Sequence, residues 1–159
     1  MKTAVIYYSY HGNCALVAEA IKGELDTDVF EVKTLDTKKR KGLFLILWGV
    51  IQVMRNKKPE LQPLSIDINV FDVIILGTPV WAGSPAPAMV SFLSKTEIKG
   101  KKIAFFCCHG GGKGEVFDKL KALLPGNTIA GEIDFKNPAK EGRAALKGQI
   151  TEWVKTLGN

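Results

Sequence analysis

The residues nearest the N-terminus that can do chemistry form one polar stretch, Ser9-Tyr10-His11-Gly12-Asn13-Cys14. An apolar run over residues 4–8 precedes it and a helical pattern over residues 17–25 follows, which predicts a strand-to-helix loop. Backbone N–H groups at a helix N-terminus favour an anion, and Gly12 lets a ligand approach the backbone closely. Ser9, His11 and Asn13 add side-chain donors, whereas the stretch holds no Lys or Arg. The loop therefore predicts an anion site made of neutral groups, with an ordinary capped turn as the alternative.

A second loop, Thr78-Pro79-Val80-Trp81-Ala82-Gly83-Ser84-Pro85-Ala86-Pro87, is predicted to leave the carboxyl end of the third strand. Its prolines stiffen the backbone because each fixes φ. A planar ligand can stack on the indole of Trp81 while nearby backbone groups bind the polar edge of its ring. The alternative is that Trp81 packs on its own loop, or under the segment inserted between strands two and three.

A third loop, Cys107-Cys108-His109-Gly110-Gly111-Gly112-Lys113-Gly114, follows the fourth predicted strand. Its four glycines give a flat ligand access to backbone N–H groups. His109 can donate a hydrogen bond or titrate near neutral pH, and a solvated loop histidine is the alternative. We interpret Cys107 and Cys108 as packing residues at the end of the strand.

Strand-like runs alternate with helical patterns along the whole chain. The first, third and fourth runs are almost continuously apolar, as strands buried on both faces are. This alternation predicts a parallel α/β sheet covered by helices on both faces, with ligands bound beyond the carboxyl ends of the strands. The five predicted strands are Ala4–Tyr8, Asp28–Val32, Phe71–Gly77, Lys102–Cys108 and Thr128–Phe135, and the helical patterns cover 86–95, 116–124 and 146–157.

One segment interrupts the alternation between strands two and three. A predicted helix over 42–54 is apolar almost all round, and cations flank it at 38–41 and 55–58. The helix is too short to span a bilayer, which needs about 20 residues. It is therefore either buried against the domain or a homodimer partner, or held at a peripheral membrane surface by Trp48, its aliphatic neighbours and the cations.

Length and composition restrict the possible functions. We expect a single domain over residues 1–159, because this length supports one sizeable core. The formal charge of +6 suggests anionic ligands, surfaces or acidic partners. The basic residues do not interleave with aromatic ones, so no nucleic acid partner is expected. Three cysteines without metal-ligand spacing, no signal peptide and no membrane-length apolar run predict a reduced, cytoplasmic setting without a metal.

Taken together, the three loops resemble the phosphate loop and the two flavin loops of the flavodoxin-like family, over nearly the whole chain. The resemblance implies a three-layer α/β/α sandwich, a five-stranded parallel sheet in the order 2-1-3-4-5, and FMN as the cofactor. The family's phosphate loop has the pattern Ser/Thr-x-Thr-Gly-x-Thr. Ser9 and Gly12 match this pattern, whereas His11 and Cys14 replace hydroxyl residues.

Two departures from flavodoxins bear on the mechanism. Many flavodoxins cover the outer flavin face with a Tyr from the second flavin loop, but glycines stand there in this chain. The outer face is therefore expected to be open, or covered by the insertion through Phe44 or Trp48. Flavodoxins are also commonly acidic, whereas this chain is basic.

The resemblance implies an FMN-binding redox protein that transfers electrons with a partner protein or a small-molecule donor or acceptor. The alternatives are an NAD(P)H- or quinone-dependent FMN oxidoreductase, and a binding module that has lost FMN. Trp81 would lie on or beside the isoalloxazine, backbone at Val80, Ala82, His109 and Gly110 would contact its edge or the ribityl chain, and no residue is expected to act as a catalytic acid or base. The cofactor-binding residues that the resemblance implies are Ser9, Tyr10, His11, Gly12, Asn13, Cys14, Thr78, Pro79, Val80, Trp81, Ala82, Gly83, Cys108, His109, Gly110, Gly111 and Gly112.

Overall fold

The computed structural model describes residues 1–158, and a parallel sheet forms its centre. Five long strands run parallel in the order β2-β1-β3-β5-β6, while the two-residue strand β4 pairs antiparallel with β3. The predicted order is confirmed once β4, which the sequence did not reveal, is set aside. The strands are β1 (Thr3–Tyr8), β2 (Thr27–Val32), β3 (Val73–Trp81), β4 (Ser84–Pro85), β5 (Lys102–His109) and β6 (Thr128–Lys136).

Helices cover both faces of the sheet, which confirms the flavodoxin-like three-layer architecture. Helices α1 and α6 pack on one face, and α3 and α4 on the other. No helix within residues 1–158 combines the length and the apolarity needed to cross a bilayer. The helices are α1 (Asn13–Glu24), α2 (Gly42–Met54), α3 (Pro87–Lys95), α4 (Val116–Ala122), α5 (Pro138–Glu141) and α6 (Arg143–Leu157), with a 3₁₀ turn at Ile68–Val70.

Alternation along the central strands divides the buried side chains between two cores. Ile6, Leu76 and Phe105 lie side by side across β1, β3 and β5 and face α3 and α4. Their neighbours Val5 and Ile75 face α1 and α6 on the opposite side. Because successive strand residues point to opposite faces, strands with two buried faces need the continuous apolar runs seen in the sequence. Full burial of each large aliphatic side chain contributes about 1.5–3 kcal/mol.

Strand β3 differs from its prediction because it begins later and ends later. The predicted strand covered 71–77 and left Thr78 to Trp81 in a loop, whereas the structure keeps these four residues extended. Pro79 fits because its fixed φ suits an extended chain. Val80 and Trp81 then pair antiparallel with β4. The end of β3 thus projects beyond its neighbours and carries Trp81 on a strand and not on a loop.

Helix α2 has the predicted bounds but is not buried as a core helix would be. Gly49 is its buried residue, and it packs against the ring of Trp81 near the end of β3. Arg40, which precedes the helix, places its guanidinium 4.2 Å from the ring centroid of Trp48. The helix therefore packs against the domain through its inner face, while its outer face is exposed in the single chain and both a homodimer partner and a membrane surface stay open as its contact.

Candidate functional site

A cavity of about 340 Å³ lies where all three predicted loops meet, beyond the carboxyl ends of β1, β3 and β5. This size lies within the roughly 300–1,000 Å³ that is usual for ligand pockets. Among the residues that the structure describes, no Asp, Glu, Lys or Arg lines it. Its lining residues are Ser9, Tyr10, His11, Asn13, Cys14, Leu45, Ile46, Gly49, Val50, Pro79, Val80, Trp81, Ala82, Cys108, His109, Gly110 and Asn137.

One wall of the cavity is the loop that leads into the N-terminus of α1. Gly12 stands at the N-cap with φ of 92° and has no side chain to cap the helix, and the first turn holds no acidic residue. Ser9 Oγ accepts a hydrogen bond from the backbone N–H of Ala15 at 3.3 Å, which closes the loop over the helix end. The other N–H groups of the first turn and the helix dipole make this wall suitable for a phosphate.

Cations lie on the outer side of the same loop. Lys39, Arg40 and Lys41 line a neighbouring surface depression together with Ser9–Gly12 and the acidic Glu31, and Arg40 is paired with Asp36 at 3.0 Å. Lys39 and Lys41 thus place positive charge close to the loop, while no charged Lys, Arg, Asp or Glu side chain lines the cavity among the described residues.

Cys14, which replaces a hydroxyl residue of the flavodoxin pattern, is a buried thiol at the cavity wall. Burial raises its pKa well above the usual range, and a hydrogen bond with Cys108 adds to the effect. The thiol therefore stays protonated at neutral pH and brings no negative charge to an anion site. The substitution keeps a weak donor at this position.

The β3–β4 hairpin forms the second wall, and its turn is strained. Ala82 and Gly83 form a two-residue turn with φ of 48° and 68°, the positive values that a type I′ hairpin requires. Asn137, which also lines the cavity, has φ of 48° as well. Non-glycine residues in this conformation cluster at functional sites, because the surrounding structure must hold them there.

Trp81 belongs to an aromatic cluster as well as to the cavity wall. Its ring packs edge-to-face on Tyr8, Tyr10 and Trp48, with centroid separations of 6.2, 5.6 and 5.5 Å. Gly49 covers part of the same ring. Much of the Trp81 ring is therefore packed under the insertion, as the alternative interpretation expected. Trp81 joins α2 to the hairpin and presents its remaining surface to the cavity.

The glycine-rich loop after β5 forms the third wall and is open towards solvent. A Cβ atom added at Gly111 or Gly112 would meet no atom within 4 Å. His109 Nε2 lies 2.8 Å from Asp134 Oδ2 and donates to it, since an ionised carboxylate only accepts. The buried Nδ1 atom of His109 has no hydrogen-bond partner among the described residues. His109 is thus a positioned ring at the cavity and not a solvated loop histidine.

The structure brings twelve of the predicted site residues together around the cavity and leaves five outside its lining. Thr78 is fully buried, and its Oγ1 accepts a hydrogen bond from the backbone N–H of Ala86 at 3.0 Å, which braces the hairpin. Gly83 packs against Gly114, and Gly12 faces the neighbouring depression. Gly111 and Gly112 lie beyond the cavity on the open loop.

Five lining residues were not predicted from the sequence. Leu45, Ile46, Gly49 and Val50 show that the insertion borders the cavity through these residues and not through Phe44 or Trp48. The backbone N–H of Asn137 donates to the carbonyl of His109 at 2.9 Å. The Asn137-Pro138 pair after the fifth predicted strand is a turn signal that could have pointed to this corner of the sheet.

Residues 1–128 match the sequence model of the family described as NADPH-dependent FMN reductase. The chain belongs to this family. Membership confirms the flavodoxin-like resemblance and FMN as the expected cofactor, and it agrees more closely with the oxidoreductase alternative than with a simple electron carrier. No curated protein matches the chain significantly in sequence.

Solved structures share the fold over almost the whole chain. A flavoprotein from Lactobacillus acidophilus in complex with FMN is 25% identical, with a TM-score of 0.76 and coverage of 96% of this chain and 98% of its own. A flavoprotein from Bacteroides uniformis is 19% identical, with a TM-score of 0.80 and coverage of 97% of both chains. A Fusobacterium nucleatum flavodoxin bound to flavin mononucleotide is 15% identical, with a TM-score of 0.61 and coverage of 99% and 98%.

Proposed function

We propose that the cavity binds FMN and that the protein is an NAD(P)H-dependent FMN oxidoreductase, which passes electrons from a nicotinamide donor to an acceptor. The observation that carries the proposal is the open glycine loop beside a cavity walled by the three loops. Gly111 and Gly112 leave free space where an aromatic side chain would cover a flavin. A second planar ring can therefore approach a bound flavin from this side. The family description supports NADPH as the donor.

The residues at the α1 end of the cavity fit a phosphate. Backbone N–H groups at the N-terminus of α1 would hold the phosphate oxygens, with Ser9 and Asn13 as side-chain partners. The protonated thiol of Cys14 adds no repulsion, and the cations at 39–41 favour the anion from behind the loop. When bound, FMN supplies the electron-transfer chemistry.

The other end of the cavity fits a flat ring with a polar edge. Backbone at Val80, Ala82, His109 and Gly110 would contact that edge, and Trp81 would lie beside the ring. Asp134 fixes the orientation of the His109 imidazole. Apolar side chains of α2 exclude water from the opposite wall, which strengthens hydrogen bonds inside. We also propose a cytoplasmic setting, which the three buried, unpaired cysteines support.

A one-electron carrier of the flavodoxin type is the second candidate function. It is favoured by the absence of Asp, Glu and Lys from the cavity lining in the described part of the chain, because one-electron transfer needs no acid or base. Its partner would be an acidic redox protein, as the net charge of +6 suggests.

Flavin titration and steady-state kinetics test these proposals. Fluorescence quenching of apoprotein should show tighter binding of FMN than of FAD, because one phosphate loop serves one phosphate group. Ser9→Ala should weaken FMN binding by about ten- to a hundredfold, the range for one hydrogen bond to a charged group. Ser94→Ala is the matched control, because the Ser94 hydroxyl is outside the cavity lining and donates to the carbonyl of Ser91. Equal or tighter binding of FAD would contradict the site assignment.

The two candidate functions separate in a turnover assay with FMN-loaded protein. The oxidoreductase proposal expects oxidation of NADPH that depends on enzyme concentration, with a quinone or free flavin as acceptor. If the protein binds FMN but does not oxidise NADPH or NADH with any of these acceptors, the carrier is the better description.

A further inference from the structure

The outer face of α2 is a continuous apolar surface. Leu43, Leu47 and Met54 follow one line along the helix, and the other three exposed apolar residues flank them. All six side chains are exposed to solvent, Leu43 the most and Ile51 the least. Their exposed fractions are 80% for Leu43, 66% for Phe44, 63% for Ile46, 57% for Leu47, 37% for Ile51 and 76% for Met54.

The helix presents no polar side chain to solvent on its outer face. Its one polar side chain, Gln52, is half-buried on the side that faces the domain, where it borders two surface depressions. A surface helix of a soluble protein normally buries its apolar face and exposes its polar one. An exposed apolar patch of this kind marks a surface that binds a partner.

Charge identifies the kind of partner. Lys38, Lys39 and Lys41 are exposed before the helix, and Arg55, Lys57 and Lys58 are exposed after it. Between Asp36 and Glu60 the chain has no acidic residue. In a symmetric dimer through this face, each copy would meet the cations of the other. An anionic lipid surface would instead bind the apolar face and neutralise both groups of cations.

We propose that the outer face of α2 docks the protein on an anionic membrane surface, with the helix lying in the plane of the interface. The helix has 13 residues, too few to cross a bilayer. Its inner face borders the cavity, and Ile46 belongs to both the exposed patch and the cavity lining. Docking would therefore hold the cavity mouth beside the lipid, within reach of apolar molecules dissolved there.

Vesicle co-sedimentation of the full chain tests this proposal. Vesicles of phosphatidylcholine alone are compared with vesicles that contain an equal amount of phosphatidylglycerol. Binding is expected for the anionic vesicles at low salt and is expected to weaken at about 1 M salt, where the screening length falls to about 3 Å. No binding to anionic vesicles at low salt would overturn the proposal, whatever flavin the cavity holds.

Variants separate docking by α2 from general attraction of a basic protein. The double variant Leu43→Glu with Leu47→Glu should lower the vesicle partition coefficient by about tenfold or more. It removes apolar contact with the lipid and adds negative charge that the anionic lipid repels. Val70→Glu with Ile129→Glu makes the same charge change at exposed apolar positions outside the helix and should bind nearly as the wild type does. Equal binding by both double variants would overturn the assignment to α2.

A cation variant and a mass measurement complete the test. Replacing Lys39, Lys41, Lys57 and Lys58 with Gln should weaken binding more than the same change at four other lysines, which are Lys99, Lys140, Lys147 and Lys155. Light scattering across a dilution series measures the mass in the absence of lipid. A dimer that Leu43→Glu with Leu47→Glu abolishes, together with no vesicle binding, would show that a second copy and not a membrane covers this face.

Discussion

Gly114→Ala should damage the site because Gly114 is where two of its loops touch. A Cβ atom at Gly114 would lie 2.5 Å from Gly83 Cα and 2.9 Å from the Gly83 carbonyl oxygen, and φ at this position is 55°. The left-handed conformation costs a non-glycine residue about 1–2 kcal/mol. Forcing two backbones apart adds about 1–3 kcal/mol. We therefore expect a loss of about 2–5 kcal/mol in the free energy of unfolding.

The same contact positions the cavity walls, so the substitution should also weaken ligand binding. Normal carbon contacts need about 3.5–4.0 Å, so the hairpin and the glycine loop must separate by about 1 Å. Urea unfolding and FMN titration measure the two effects. Gly112→Ala is the matched control in the same loop, since its Cβ would meet no atom within 4 Å. If Gly114→Ala is as stable and binds FMN as tightly as Gly112→Ala, the described packing of the two loops is wrong.

Three further predictions concern stability and accessibility. Trp81→Ala should weaken FMN binding and shift the flavin spectrum, and unchanged affinity and spectrum would contradict this. Trp153→Ala, on the buried face of α6, should instead lower the free energy of unfolding in urea by about 3–5 kcal/mol. Burial raises the pKa of Tyr7 and Tyr8 from 10.0 to about 12. The free energy of unfolding should therefore keep its full tyrosine contribution below pH 10 and fall as pH rises towards 12. A free energy of unfolding that does not change between pH 10 and pH 12 would contradict this. The three buried thiols should react with a thiol reagent only after the protein unfolds, because burial blocks access to them and raises the pKa of Cys14 and Cys107. Fast reaction of the native protein would contradict this prediction.

The sequence predicted the sheet because its signals are local and strong. Apolar runs such as Phe105 and its neighbours in β5 identify strands buried on both faces, and the helical patterns between them require parallel connections. The bounds of α2 were equally clear, since Gly42 and the cations after Met54 delimit an apolar run. The flavin-loop assignments followed from the resemblance to the flavodoxin-like family, which rests on three such loops at strand ends.

Other features depend on packing that local patterns do not encode. Pro79 normally argues against a strand, but here it lies where β3 extends towards the hairpin with β4. Ala82 gives no sign of its positive φ, because tertiary structure imposes it. A helix that is apolar on every side cannot reveal which face it exposes. Asn137 reaches the cavity only because the sheet order places β6 beside β5.

Anaerobic mixing of FMN-loaded protein with NADPH tests the central claim most directly. The visible absorption band of the bound flavin should disappear at a rate that saturates as the NADPH concentration is raised. Addition of an electron acceptor should restore the band. A protein that retains no FMN, or whose bound FMN stays oxidised in excess NADPH and NADH, would contradict the proposal that this open cavity brings a nicotinamide to a flavin.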